Sequence, residues 1–536
     1  MIPVLVVGGG PVGLSLAIRL GQLGVPATLV EQHPDTAVFP KGRALSIRSM
    51  EIFRSWELEK DITAAGLPRE HLAFYTGRTL TDPSGTRIVT GPGARPPVPS
   101  PTYTLLCSQD RLEPLLRAHA QRLQPDRIRF GTELVDLVVD PDGVTVGLRS
   151  GGRGDRLRAR YLVAADGARS GIRQRLDIAM AGPSGVSRNL NILFDADLGQ
   201  HIADRPCAVY TITQPGLHGA FLAVDNQHRW LFNLVADGDD VDLDSLDDAA
   251  CIGLIRAAAG LPDLTVTVVG RQVWHAAAQV ADRFRHGPVF LAGDAAHVTT
   301  PYGGFGMNCG IADADNLAWK LAAVHHGWAD PALLDTYDPE RRPVALASAA
   351  ESHLRLVDTI DAQRTGAPPR GRPSEGLVLG YHYTSAAVIS DGTDPPPGNP
   401  VADYVPTGRP GHRLPHVWLD QGETLSTLDL VAGEGFTLLA GPAAAWAPTA
   451  VQQARHAGVP LTVHVLDDAL SQPTRADFLG RCGLRDDGAL LLRPDAHVAW
   501  RTPGTPRDGI HEMMDRVRQP APRPGLRHPR PAEGVA

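Results

Sequence analysis

Cysteine is scarce in this chain and never closely paired. Cys107, Cys207, Cys251, Cys309 and Cys482 form no C-x-x-C spacing. That argues against a disulfide framework, a thiolate zinc site or a dithiol redox centre, and it fits a reducing, cytoplasmic setting. No run of about 20 apolar residues occurs, so no membrane partner is expected. The first residues read directly as a strand, so no secretory leader is expected either. A basic block is also missing: 51 Lys and Arg against 59 Asp and Glu leave a net charge of −8, which disfavours nucleic acid as a partner. What remains is a chain of 536 residues, 43% hydrophobic and 21% charged. That is too long for one core, and two or three domains are expected.

The first stretch carries the strongest pattern. Val4 to Gly13 reads V-L-V-V-G-G-G-P-V-G, an apolar strand running into glycines, and Leu14 to Leu23 follows with apolar residues at helical spacing. Strand, G-x-G-x-x-G turn and helix form a dinucleotide-binding unit. Gly8 permits the tight turn, Gly10 lets the pyrophosphate approach the backbone, and Gly13 lets the helix pack close to the sheet. The phosphates then rest on the helix N-terminus. A second strand, Ala27 to Val30, ends at Glu31, near the offset of about 20 residues at which an acid holds a ribose hydroxyl.

Further signatures follow in order. A helix is expected from Arg43 through Arg54, with Arg43 near its start, and Ser108 should cap a helix beginning at Gln109. The strand Tyr161–Ala165 delivers Asp166-Gly167, with Ser170 and Arg173 just beyond, to the carboxyl edge where ligands sit in open α/β sheets. Strand-like segments fill about 187–280 and suggest an inserted antiparallel sheet roofing a substrate cavity. Its pocket residues are expected around Ile192 to Phe194, Tyr210 to Thr213, Phe221 to Val224 and Phe232. Another strand reaches Gly293-Asp294-Ala-Ala-His297, then Pro301-Tyr302-Gly303-Gly304-Phe305-Gly306-Met307-Asn308 and a long helix. His297 is expected to brace its turn and Tyr302 to serve as a pocket wall.

Four motifs in this order resemble the single-component FAD-dependent aromatic hydroxylases of the p-hydroxybenzoate hydroxylase type. Within them, the chain resembles the branch that tailors polycyclic polyketides and antibiotic intermediates and adds a C-terminal thioredoxin-like domain. The resemblance implies an α/β fold: a Rossmann-like FAD-binding domain with an inserted, mainly antiparallel substrate sheet, plus the thioredoxin-like α/β domain. It divides the chain into a FAD-binding domain (1–75, 102–180 and 281–365), a substrate sheet domain (76–101 and 181–280), a linker (366–413), the thioredoxin-like domain (414–518) and a disordered tail (519–536).

The resemblance also implies site roles. Gly8, Gly10, Gly13 and Glu31 hold the ADP half of FAD, and Gln109 faces the diphosphate or ribityl chain. Asp166 and Gly167 serve FAD and the NAD(P)H approach, with NADPH the expected donor. Gly293 and Asp294 serve the ribityl chain, and the backbone of Gly306, Met307 and Asn308 faces the flavin pyrimidine edge. Arg43, Pro301 and Gly303 are the candidate catalytic residues. Cys309 and Ala312 depart from the family pattern, which has threonine and glutamine there.

The implied reaction uses NAD(P)H and O₂ to hydroxylate a polycyclic aromatic substrate through a flavin C4a-hydroperoxide, in a monomer or homodimer. Baeyer–Villiger oxygen insertion is one alternative. A FAD-bound protein that steers an unstable intermediate is another. A W-x-W-x-I-P signature is absent, which disfavours halogenation. In the C-terminal domain Cys482 stands alone, so thiol–disulfide exchange through a paired motif is excluded there.

Overall fold

The computed structural model describes residues 1–89, 99–235, 242–365, 371–466, 472–506 and 510–519. The chain divides into two compact units. The first holds Met1–Trp319, Arg341–Tyr381 and Pro397–Val405; the second holds Lys320–Glu340, His382–Pro396 and the described residues from Pro406 on. Among the described residues no helix is long and apolar enough to cross a membrane.

At the centre of the first unit is a parallel sheet. Ile2–Val7 pairs with Ala27–Glu31 on one side and Arg153–Ala164 on the other, and Val289–Leu291 and Ile128–Phe130 extend it in the same direction. Val4 to Val7 are buried on both faces, as a parallel strand covered on both sides requires. The helix Pro11–Gln22 returns over this sheet and buries Leu14, Leu16, Ile18 and Leu20. Proline at its first position supplies a preset φ where no N–H partner is needed.

A seven-stranded sheet belongs to the same unit. Its order is Thr267–His275, Arg188–Asp195, Arg229–Val235, Leu217–Ala223, Val209–Gln214, Ala73–Gly77 and Thr86–Val89, antiparallel except where Ala73–Gly77 meets Val209–Gln214. One face buries Ile192, Phe194, Tyr210, Phe221, Trp230 and Phe232 with Cys251, Ile255 and Ala258 of the helix Asp248–Ala259. Sequence patterning had not anticipated that helix. It has a side-chain cap from Asp247 and a left-handed Gly260 at its end, both ordinary boundary signals.

The second unit carries a four-stranded sheet ordered Leu461–Val465, Phe436–Ala440, Ala489–Leu492, Val498–Thr502, with the first pair parallel and the others antiparallel. Helices Ala447–His456, Gln472–Cys482 and Ile510–Arg518 accompany it. The last buries Met513 and Met514, and Cys482 is fully buried, where desolvation pushes its thiol up. A polar centre lies within this unit: Glu340 accepts from Lys320 at 2.7 Å, Arg493 at 2.6 Å and Ser385 at 2.6 Å.

Three expectations change. The helix after Arg43 starts later, at Ile47, because Ser46 caps it and Ala44–Leu45 pairs with Leu105–Leu106 instead. From residue 371 on, the expected linker is structured: it contains the helix Glu375–Leu379, and its described residues are divided between the two units, while 366–370 lie outside the described residues. Thr427 to Leu439 reads in the sequence as a strand, but the strand begins only at Phe436, after a 3₁₀ turn that Ser426 and Asp429 cap reciprocally. Residues 90–98 of the expected substrate sheet and 520–536 of the expected tail lie outside the described residues.

Candidate active site

The glycine turn is enforced by backbone. Gly8 has φ +115°, and a Cβ there would lie 2.1 Å from the Ala165 carbonyl oxygen; one on Gly13 would lie 2.0 Å from the Gly8 oxygen. Neither site admits another residue without moving main chain. Gly10 differs, since a Cβ there would meet only Glu113 Oε1, at 3.9 Å. Gly10 caps the helix without any side-chain hydrogen bond, which leaves its first N–H groups to be satisfied by something else.

That turn opens into one cavity of about 3020 Å³, against roughly 300–1,000 Å³ for an ordinary small-molecule pocket. Its wall includes Gly8, Gly10, Glu31, Arg43, Gln109, Asp166, Gly167, Asp294, Pro301, Gly303, Gly306 and Met307. Residues far apart in sequence therefore share one space. Gly13, Gly293 and Asn308 stand behind the wall. Gly293, at φ +60°, faces Val12 so closely that a Cβ would lie 2.8 Å from its methyl. Asn308 accepts from Ser46 N–H at 2.8 Å and Ser49 Oγ at 2.6 Å and donates to the carbonyls of Ala44 at 2.9 Å and Gly304 at 2.6 Å. Its amide thus locks the 301–304 loop to the segment bearing Arg43.

The charged candidates are held in place. Glu31 Oε2 accepts from Gly9 N–H at 2.7 Å and Oε1 from His33 N–H at 2.8 Å. Gln109 accepts from Gly42 N–H at 3.1 Å and donates to Glu113 at 2.6 Å. Burial pushes the Asp166 carboxyl up against hydrogen bonds from Ser170 and Ile172, and its Oδ1 is a buried oxygen with no protein donor. Asp294 is exposed to the cavity, yet the surrounding protein raises its carboxyl, opposed by His297 and Lys41. Arg43 donates to the carbonyls of Ala208 at 3.0 Å and Ala223 at 2.9 Å. Burial lowers its guanidinium to about 10, with Asp110 opposing. It ties together the adjoining ends of two neighbouring strands of the seven-stranded sheet, Val209–Gln214 and Leu217–Ala223. Arg48 is an ordinary buried ion pair with Glu51, 3.3 Å away.

Tyr302 lines the cavity, and burial pushes its phenol up. His297 is fully buried with Nε2 2.7 Å from Asp313 Oδ2. Sequence reasoning missed Asp313 and Arg341, which meet at 2.7 Å behind this loop. An Asp and an Arg inside apolar helix patterns were the available signal.

The pocket aromatics require a correction. Phe194, Tyr210, Phe221 and Phe232 belong to the buried core on the opposite face of the sheet. Strand side chains alternate, so the cavity receives Leu193, Thr211, Thr213, Leu222 and Asn233.

The arrangement fits a flavin dinucleotide: an uncapped helix N-terminus at Gly10, a buried Asp166 oxygen with no protein donor, and room for two ligands. Residues 1–352 match the FAD binding domain family, and residues 407–521 match the aromatic-ring hydroxylase C-terminal family. The chain belongs to the FAD-binding aromatic-ring hydroxylases. Its relatives include the tetracenomycin A2 monooxygenase-dioxygenase of Streptomyces glaucescens, 39% identical over 96% of this chain and 95% of that one. The aklavinone 12-hydroxylase DnrF of Streptomyces peucetius is 38% identical over 82% and 91% of the two chains. Among solved structures, aklavinone-11 hydroxylase with FAD and aklavinone matches at TM-score 0.86 and 34% identity, over 96% of this chain and 99% of that chain. The flavin-dependent monooxygenase PieE with FAD and substrate matches at TM-score 0.87 and 33% identity, over 96% and 98%. This hydroxylase is a flavoprotein monooxygenase.

Proposed function

We propose that this monooxygenase hydroxylates a polycyclic aromatic, polyketide-like intermediate, with NADPH as the electron donor. The observation that carries the reading is the single cavity joining the glycine turn to one face of the seven-stranded sheet. FAD, when bound, supplies the activation of dioxygen.

The chain's own residues do the rest. Gly8 and Gly13 shape the turn, Gly10 admits the pyrophosphate, and Glu31 receives a ribose hydroxyl. Gln109 and Asp294 hold the chain between phosphate and ring, with Gly293 setting the turn that aims Asp294. The backbone of Gly306 and Met307, at the start of the helix Phe305–His325, favours negative charge on a ring edge placed there. Asn308 fixes that loop, and Pro301 and Gly303 wall the reacting centre. Arg43 positions the sheet against the flavin site. Asp166 and Gly167 border the donor's approach, and Arg169 and Arg175 on the same wall support a donor bearing an extra phosphate.

The test is anaerobic addition of NADPH to the FAD-loaded protein, following loss of the oxidised flavin band with and without a panel of polycyclic phenols. Bleaching accelerated by one phenol class supports the reading. No bleaching under any condition overturns it.

A further inference from the structure

Strand register places seven cavity-facing residues in one line across the roof sheet. Gln272 stands beside Asn191, Asn191 beside Asn233, Asn233 beside Ala220, Ala220 beside Thr211, Thr211 beside Thr76 and Thr76 beside Thr86. All seven line the cavity. The adjacent line, two residues along each strand, is Gly270, Leu193, Leu231, Leu222, Val209, Phe74 and Ile88, and these also line it. Val209 and Leu222 neighbour the two carbonyls that Arg43 binds. The apolar line therefore lies nearest Arg43, and the polar line lies one side-chain repeat beyond it.

From this we infer that Gln272, Asn191 and Asn233 are specificity-determining residues, which select a linearly fused polycycle by reading oxygens along one of its edges. The inference rests on the hydroxylase reading for its site and deepens it by naming the residues that choose among such substrates. Side chains on neighbouring strands stand about 4.8 Å apart, close to the spacing of alternate rings in a linear fused system. Oxygens on the first and third rings would therefore fall in step with adjacent strands.

Amides suit such an edge because each can donate to a carbonyl and accept from a phenol. Asn233 already donates to Asn191 Oδ1 at 2.8 Å; that bond orients the pair and leaves the Asn191 NH₂ and the Asn233 oxygen as its remaining polar ends. The hydrocarbon edge would meet Leu193, Leu222 and Leu231, whose burial favours apolar carbon. At the middle of the polar line Ala220 is the one small side chain, so the ring plane can come closest to the sheet there.

The test compares two isomers on the FAD-loaded protein by equilibrium dialysis. In 1,8-dihydroxyanthraquinone both hydroxyls share an edge, and in 1,5-dihydroxyanthraquinone they lie on opposite edges, with composition unchanged. The 1,8 isomer is expected to bind about tenfold tighter, the size of one well-made hydrogen bond. Asn191→Leu and Gln272→Leu should each bring the ratio towards one, and Ala220→Leu should weaken both isomers. Flavin content and Tm verify that each variant folds; where Asn191→Leu loses flavin, Asn233→Leu takes its place. Equal affinities in the native protein, or an unchanged ratio in the amide variants, overturn the inference. NADPH-driven bleaching is read separately: its loss with discrimination intact overturns the hydroxylase reading and leaves edge recognition standing.

Discussion

His297 and Asp313 meet at 2.7 Å with both side chains fully buried. The same carboxylate accepts from Gly293 N–H at 3.0 Å and, through its other oxygen, from Arg341 at 2.7 Å. Burial alone would raise this carboxyl, but His297 and Arg341 outweigh it and hold it below the usual range. Asp313 thus anchors the turn that presents Asp294 to the cavity. It acts on the flavin site without touching the cavity wall.

Asp313→Ala should leave the Arg341 guanidinium buried without the Asp313 carboxylate that balances its charge, a loss of about 3–5 kcal/mol. The expected outcome is a lowered Tm together with reduced FAD per chain after purification. His297→Gln keeps a donor near the carboxylate and should retain most of the flavin. Full flavin content in Asp313→Ala would contradict the anchoring role.

The glycine turn separates folding from binding. Gly8→Ala and Gly13→Ala would each drive a methyl to within about 2 Å of a carbonyl oxygen, and both should yield unfolded or insoluble protein. Gly10→Ala meets nothing closer than 3.9 Å, so its stability should stay within about 1 kcal/mol of native. On the proposed role of Gly10 in admitting the pyrophosphate, the added methyl stands in the way, and the expected loss is in FAD affinity. Titrating the apoprotein with FAD, alongside thermal unfolding, checks both halves.

Much of this was legible in sequence because strong local chemistry marks it. The glycine turn, the Asp166-Gly167 and Gly293-Asp294 turns and the apolar parallel strands each follow from backbone needs that few residues meet. What was lost is parity. Phe221 and Phe232 look like pocket residues because aromatics suit an aromatic ligand, but an apolar strand face does not say whether a ligand or a helix covers it. The helix Asp248–Ala259 claims that face, which leaves the amides and threonines for the cavity. The Arg43 contacts were equally hidden, since they join carbonyls 165 and 180 residues away.

In the second unit, Glu340 is fully buried between Lys320 and Arg493. Burial opposes its charge, yet Arg493 and Lys320 prevail and hold its carboxyl down to about 2. A depressed acid stabilises the fold above its unfolded value, about 4.3, and that stabilisation is lost as pH falls through the folded value. Tm of the native protein minus that of Glu340→Gln should therefore be constant above about pH 5 and shrink progressively below about pH 4. A difference that persists undiminished towards pH 2 would contradict the ion-pair origin.

Arg43 offers the sharpest distinction between charge and geometry. Its Nη2 donates to the Ala208 and Ala223 carbonyls at once, through two N–H groups whose directions the guanidinium plane fixes, whereas a lysine ammonium ends one bond short of that nitrogen. Arg43→Lys keeps the positive charge but should lose one of the two contacts, about 1.5–3 kcal/mol for a hydrogen bond from a charged donor. If Arg43 acts by positioning the sheet, Arg43→Lys should fall close to Arg43→Ala in kcat/KM for the phenol, while NADPH-driven flavin bleaching without phenol stays near native. If its charge acts on the flavin directly, Arg43→Lys should keep most of the native rate and Arg43→Ala should slow bleaching in both conditions. The contacts support the first outcome, because Nη2 is directed to the sheet's carbonyls.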